Sequence, residues 1–138
     1  MPSRGLRNCN PGNIRRSAVS YVGEKLHSTD RAFKQFESIE AGYRAMFVLL
    51  HSYSCKGYAQ TIEQMISRYA PPSENNTKAY IARVSQSTGI AKDCKLNTLS
   101  AEQMVPIVCA MSAVENGVAA DKLAVERGWE WFVRDFGK

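Results

Sequence analysis

From Ser38 onward, apolar residues return every three or four positions, the period of a helix with one buried face. Ile39, Tyr43, Met46, Phe47, Leu50 and Tyr53 form the first such stripe, which Gly57 interrupts. Thr61 and Gln64 have capping-box spacing ahead of a second stripe, Ile62, Met65, Ile66 and Tyr69, which Pro71-Pro72 ends. The polar loop Ser73-Glu74-Asn75-Asn76 offers N-cap groups to a third helix marked by Tyr80, Ile81 and Val84 and closed near Gly89. Ser100 and Gln103 repeat the capping box before Met104, Ile107, Val108, Met111 and Val114, and Gly117 supplies a left-handed stop. Pro106 falls inside this fourth pattern and predicts either a kink or a start nearer residue 105. Two short patterns follow, one with Val118, Leu123 and Val125, the other with Trp129, Phe132, Val133 and Phe136. The second is read as the packing face of a terminal helix in preference to a sugar-stacking platform.

The first 37 residues read differently. Asn10-Pro11-Gly12-Asn13 is a turn sequence, with Pro11 and Gly12 suited to the centre of a type II turn. Ile14, Val19 and Tyr21 alternate with polar residues, and Gly23 breaks the run. Residues 17–37 are therefore expected to form a small, irregular, antiparallel β-region of short strands. The fold class is mainly α with this β-region near the N-terminus (α+β), and residues 1–138 form a single domain.

Composition narrows the function classes. At 44% hydrophobic residues the chain is not disordered, and no apolar run reaches the roughly 20 residues that span a bilayer. Lys plus Arg number 18 against 13 Asp plus Glu, a net charge of +5, which favours an anionic partner such as nucleic acid, a membrane surface or a cell-wall polymer. The basic residues are dispersed, with only Arg15-Arg16 adjacent, which disfavours nucleic acid. Cys9, Cys55, Cys94 and Cys109 form no CxxC pair, and His27 and His51 lack zinc-ligand spacing, so neither a metal site nor a cofactor is expected. Disulfides would form only in an oxidising compartment. The opening residues carry no apolar secretion segment, so action outside the cytoplasm would depend on another delivery route.

One carboxylate stands out. Glu115 occupies the last turn of the fourth helix, where the negative pole of the helix dipole repels it, and its neighbours are apolar. An acid kept against such a field is a candidate for a raised pKa and for acid catalysis. Asn10 and Asn13 present amides suited to sugar hydroxyls and N-acetyl groups, and Glu24, Asp30, Gln35 and Glu37 are candidate cleft residues of the β-region.

Several stretches resemble the lysozyme-like superfamily, especially the soluble lytic transglycosylases. Cys109-Ala110-Met111-Ser112-Ala113-Val114-Glu115-Asn116-Gly117 is similar to the family's Ala-Ile-Ala-x-x-Glu-Ser-Gly helix end, with Asn116 in place of Ser. Arg68-Tyr69-Ala70-Pro71-Pro72 and Asn76-Thr77-Lys78-Ala79-Tyr80-Ile81-Ala82-Arg83-Val84 resemble its tyrosine segments, and Ile39-Glu40-Ala41-Gly42-Tyr43-Arg44-Ala45 the helix after its β-region. Only Phe33-Lys34-Gln35-Phe36 stands for the usual Gly-Leu-Met-Gln. The order of these pieces implies a circular permutation, since the glutamate helix normally comes first. Arg7-Asn8-Cys9-Asn10-Pro11-Gly12-Asn13-Ile14-Arg15 also resembles the opening of phage and prophage virion proteins associated with peptidoglycan degradation.

The resemblance implies a peptidoglycan glycosidase, a muramidase or lytic transglycosylase, that cleaves the β-1,4 bond between N-acetylmuramic acid and N-acetylglucosamine. Glu115 would be its general acid, Glu24 or Asp30 its second carboxylate if it hydrolyses, and Asn10, Asn13, Gln35, Tyr69 and Tyr80 its substrate-binding residues. The expected partner is peptidoglycan, with an immunity protein or virion or holin components added according to the route by which the protein reaches the periplasmic wall. A non-catalytic wall-binding or phage virion structural module is the alternative, and a basic nucleic-acid-binding helical domain a weaker one.

Overall fold

The computed structural model describes residues 2–137. Among them six helices follow in order: α1 (Arg4–Arg7), α2 (Ile39–Cys55), α3 (Ile62–Tyr69), α4 (Thr77–Thr88), α5 (Ala101–Asn116) and α6 (Lys122–Phe136). Their ends follow local chemistry. Ser38, Thr61, Asn76 and Asp121 each accept a backbone N–H at the start of a helix, and Gly89 and Gly117 end α4 and α5 in the left-handed conformation.

α5 departs from the expected capping box. Ser100 makes no side-chain cap, and the Gln103 amide oxygen instead accepts the N–H of Asn97 at 2.7 Å. The helix also runs through Pro106 and does not start later. Pro106 and Glu102, whose carbonyl loses its helical donor, are both exposed, so the missing bond falls on the solvent side of the helix and not in the core. The two C-terminal patterns are one helix, α6, whose N-cap Asp121 separates it from Val118. The four-residue α1 had no periodic signal; Ser3 caps it by accepting the Leu6 N–H.

α2 packs mainly on α6, α5 touches both of them and α4, and α4 packs against α3 and α5. Phe47 meets Trp129 edge-on at 5.0 Å between ring centroids and Phe132 at 6.0 Å, so the aromatic stripe of α6 is a packing face. Met46 and Leu50 of α2, Met65 and Ile66 of α3, Val84 of α4, and Val108 and Met111 of α5 complete the core. Each such side chain contributes about 1.5–3 kcal/mol of burial free energy.

The expected β-strands are absent among the described residues. Two isolated antiparallel bridges, Arg15 to Phe33 and Glu24 to Phe36, are what remains of them. Of the alternating residues, Ile14 is buried and Tyr21 packs against the core, but Val19 is exposed, as are the neighbouring Val22 and Leu26, so no continuous apolar face runs along this region. Polar groups hold this region instead. The Lys34 ammonium, 1% exposed, donates to the Val19 carbonyl at 2.7 Å and to both Glu24 oxygens at 3.1 and 3.0 Å. The Asn10-to-Asn13 turn closes with an Asn13 N–H to Asn10 carbonyl bond of 3.0 Å, but not as type II. Its left-handed residue is Asn13, at φ 49°, not Gly12.

Candidate active-site groove

α5 ends against the N-terminal loop, and Asn116 makes the junction. Its amide donates to the Pro11 carbonyl at 2.8 Å and to the Ser112 carbonyl at 2.9 Å, while its oxygen accepts the Ser3 hydroxyl at 2.6 Å. The loop is thereby fixed one residue away from Glu115. Gly12 fits beneath Tyr69, whose hydroxyl donates to the Gly12 carbonyl. A Cβ on Gly12 would collide with that hydroxyl and with Met46. The strained, left-handed Asn13 then projects its amide onto Glu115.

Two donors hold the Glu115 carboxyl. Asn13 donates to one oxygen and the Tyr80 hydroxyl to the other, both at 2.9 Å. Burial pushes the Glu115 pKa up, and the two hydrogen bonds pull it back without cancelling the rise. Burial, reinforced by the charge of Glu115, raises the pKa of both Tyr69 and Tyr80, so each hydroxyl keeps its proton at neutral pH.

Glu115 stands where two cavities meet. One, of about 640 Å³, lies along α4 and the end of α5 and is lined by Asn76, Tyr80, Arg83 and Val118. The other, of about 470 Å³, lies between the N-terminal loop and α3 and is lined by Asn13, Arg16, Phe33, Tyr53, Arg68 and Tyr69. Glu115 and Asn75 line both, which makes them one groove with the carboxyl near its middle. A raised-pKa acid, an amide donor and two protonated tyrosines in a groove of this size form an arrangement able to deliver a proton to an elongated polar ligand.

The chain is 36% identical over 135 residues to Protein P5 of Pseudoalteromonas phage PM2, an alignment that covers 94% of this chain and 81% of the phage protein. The chain belongs to the P5 family. No protein-family profile matches it.

In this P5-family chain the structure brings Glu115, Asn13, Tyr69 and Tyr80 together. It does not bring Asn10, Gln35, Glu24, Asp30 or Glu37 to the groove. Asn10 is fully buried, and its amide closes the loop by donating to the Ile14 and Lys34 carbonyls, each at 2.9 Å, and accepting the Ile14 N–H. Gln35 braces the neighbouring turn through Thr29 and Asn8. Glu24 is the counter-ion of buried Lys34. Asp30 takes a two-point hydrogen bond from Arg4 at 2.7 Å, one from Asn8 and two backbone N–H bonds. The Arg4 and Asn8 bonds, with those of the backbone, hold its carboxyl well below the usual range. Glu24 and Asp30 are structural carboxylates, committed to their own partners.

Sequence reasoning missed Asn75, Arg16, Arg68 and Tyr53 as groove residues and Asn116 as the clamp. The adjacent Arg15-Arg16 and the Asn75-Asn76 pair were the visible signals; Arg68 and Tyr53 lay inside helical patterns and had none. Cys9, Cys55, Cys94 and Cys109 are free thiols. Among the described residues no three His, Cys, Asp or Glu side chains converge as metal ligands, and no helix is long and apolar enough to cross a membrane.

Proposed function

We propose that this protein is a peptidoglycan glycosidase of lysozyme-like type, cleaving the β-1,4 bond between N-acetylmuramic acid and N-acetylglucosamine with Glu115 as general acid. The observation that carries this reading is the half-buried Glu115 carboxyl, held by Asn13 and Tyr80 at the centre of a groove open along both arms. The glutamate helix follows the N-terminal loop in the chain and ends directly against it at the groove, an order that fits a permuted lysozyme-like chain.

The carboxylate inventory favours a single-acid mechanism. Among the described residues lining the two cavities, Glu74 is the other carboxylate, and it is exposed and paired with Arg15 at 3.1 Å. Glu115 donates its proton to the leaving glycosidic oxygen as the bond to the muramyl C1 breaks. Glu115, now a base, takes the proton of the muramyl 6-hydroxyl, whose oxygen attacks C1 and closes an anhydro ring. This is lytic transglycosylase chemistry, which needs no second carboxylate and no activated water.

Glu115→Gln keeps the shape and removes the acid. We expect it to lower muropeptide release from purified sacculi by about 10²–10⁴-fold. Product masses then decide the chemistry, since anhydro ends are lighter than reducing ends by one water. Wild-type rates in the Gln variant would remove Glu115 from the mechanism. A wild-type protein that binds sacculi and releases nothing would leave the non-catalytic wall-binding module as the correct reading.

A further inference from the structure

The two arms of the groove differ in charge. Arg15, Arg16 and Arg68 line the arm between the N-terminal loop and α3, whereas among the described residues Arg83 is the one arginine lining the arm along α4. The guanidinium of Arg68 lies 4.0 Å over the Tyr58 ring and 5.4 Å from that of Tyr53, so aromatic faces hold it in place. Arg15 is seated 5.1 Å over Phe33. Among the described residues neither Arg16 nor Arg68 pairs with a carboxylate, and the Arg16 guanidinium makes a single 3.3 Å bond to the Asp30 carbonyl.

A bare glycan of N-acetylated sugars gives these guanidiniums nothing of opposite charge. The carboxylates of peptidoglycan are on the short peptides attached to the lactyl groups of its muramyl sugars. A positioned guanidinium recognises a carboxylate through two parallel hydrogen bonds, and two such groups lining one arm match a peptide bearing more than one acid. A nucleic-acid backbone is the poorer fit, because it carries a charge on every unit and calls for clustered basic residues, whereas those of this chain are dispersed.

We infer that the arm lined by Arg16 and Arg68 binds the anionic stem peptide, so that the protein selects peptide-bearing strands over stripped ones. The inference rests on the glycosidase reading for the identity of the polymer, and a binding measurement separates the two. Glu115→Gln protein is titrated with soluble glycan strands and with the same strands after an amidase has removed their peptides. Binding to the peptide-bearing strands is expected to be roughly tenfold tighter, the equivalent of one charge-assisted contact, and to weaken with added salt.

Introducing Arg68→Gln or Arg16→Gln into that protein brings the two affinities together. Arg16 is exposed, so its variant tests the idea even if loss of the Arg68 stacking impairs folding. Equal binding of the two strands, or a preference that survives both arginine substitutions, overturns the inference, as does tighter binding of a single-stranded oligonucleotide than of either glycan. Muropeptide release by wild-type protein is scored separately. Selective binding without release would sink the glycosidase reading and leave the peptide-binding arm standing.

Discussion

At the scale of single residues, the functional reading turns on the proton of Glu115. Its pKa in the folded protein lies above the ordinary carboxylate value because burial outweighs the Asn13 and Tyr80 hydrogen bonds. A general acid works while protonated, so kcat/KM should fall as pH rises through that raised pKa. Tyr80→Phe removes a donor that stabilises the carboxylate. We expect it to move this alkaline limb to higher pH, measurable as a pH–rate profile on soluble glycan; a limb that stays put or moves down would exclude Tyr80 as a tuner of the acid. Stability follows the same linkage. The folded state holds this proton more tightly than the unfolded chain, so the favourable contribution is complete below the unfolded pKa and is lost as pH rises through the folded one. The difference in melting temperature between wild type and Glu115→Gln should change in that window and be flat above it. Glu115 was legible in the sequence because a carboxylate in the last turn of a helix opposes the dipole. Asn10 was misread because an amide that satisfies buried backbone groups and one that binds sugar look alike in a sequence.

Among the elements, the helices and the N-terminal region obey different rules. α2, α3 and α4 could be read from their stripes and caps because each buries one face against neighbours, and the period of that face is written along the chain. The region from Ser17 to Glu37 buries little beyond Phe36, and its backbone is held by Lys34, Glu24 and Asp30. Alternation therefore signalled strands where polar side chains, acting through backbone carbonyls and amides, do the organising. Glu24→Gln tests this. It leaves the ammonium of Lys34, 1% exposed, without its counter-ion, and should destabilise the protein on the order of 3 kcal/mol in urea unfolding. A change within a few tenths of a kcal/mol would mean that the carbonyl contacts of Lys34 suffice. α5 shows a smaller version of the same lesson, since Gln103 caps the Asn97 amide and leaves Ser100 with no side-chain role in the cap.

For the molecule as a whole, two close approaches fix how the helices and the N-terminal loop pack. Gly128 of α6 lies against α2, where an added Cβ would come 2.8 Å from the Tyr43 Cβ and 2.9 Å from the Arg44 nitrogen. Gly42 receives the N-terminal loop, and a Cβ there would strike the Cys9 carbonyl and Pro11. We expect Gly128→Ala to cost about 1–3 kcal/mol by forcing α2 and α6 apart, read as a lower urea midpoint with an unchanged slope. Neutral behaviour would show that the helix pair has room to shift. The buried Tyr43 hydroxyl, 2.8 Å from the Ser112 hydroxyl, ties α2 to α5 just ahead of the site, so the frame and the acid share one core.

The chain's own pattern of apolar residues, caps and glycines determined a mainly helical domain, the bounds of most of its helices and the odd position of Glu115, since each of these is a local preference summed over a few turns. Which carboxylates face the groove, which are consumed by Arg4 and Lys34, and which arginines meet in one arm were decided only by tertiary structure. Those assignments depend on distances between residues as much as a hundred positions apart, such as Asn13 and Glu115, and no local period encodes them.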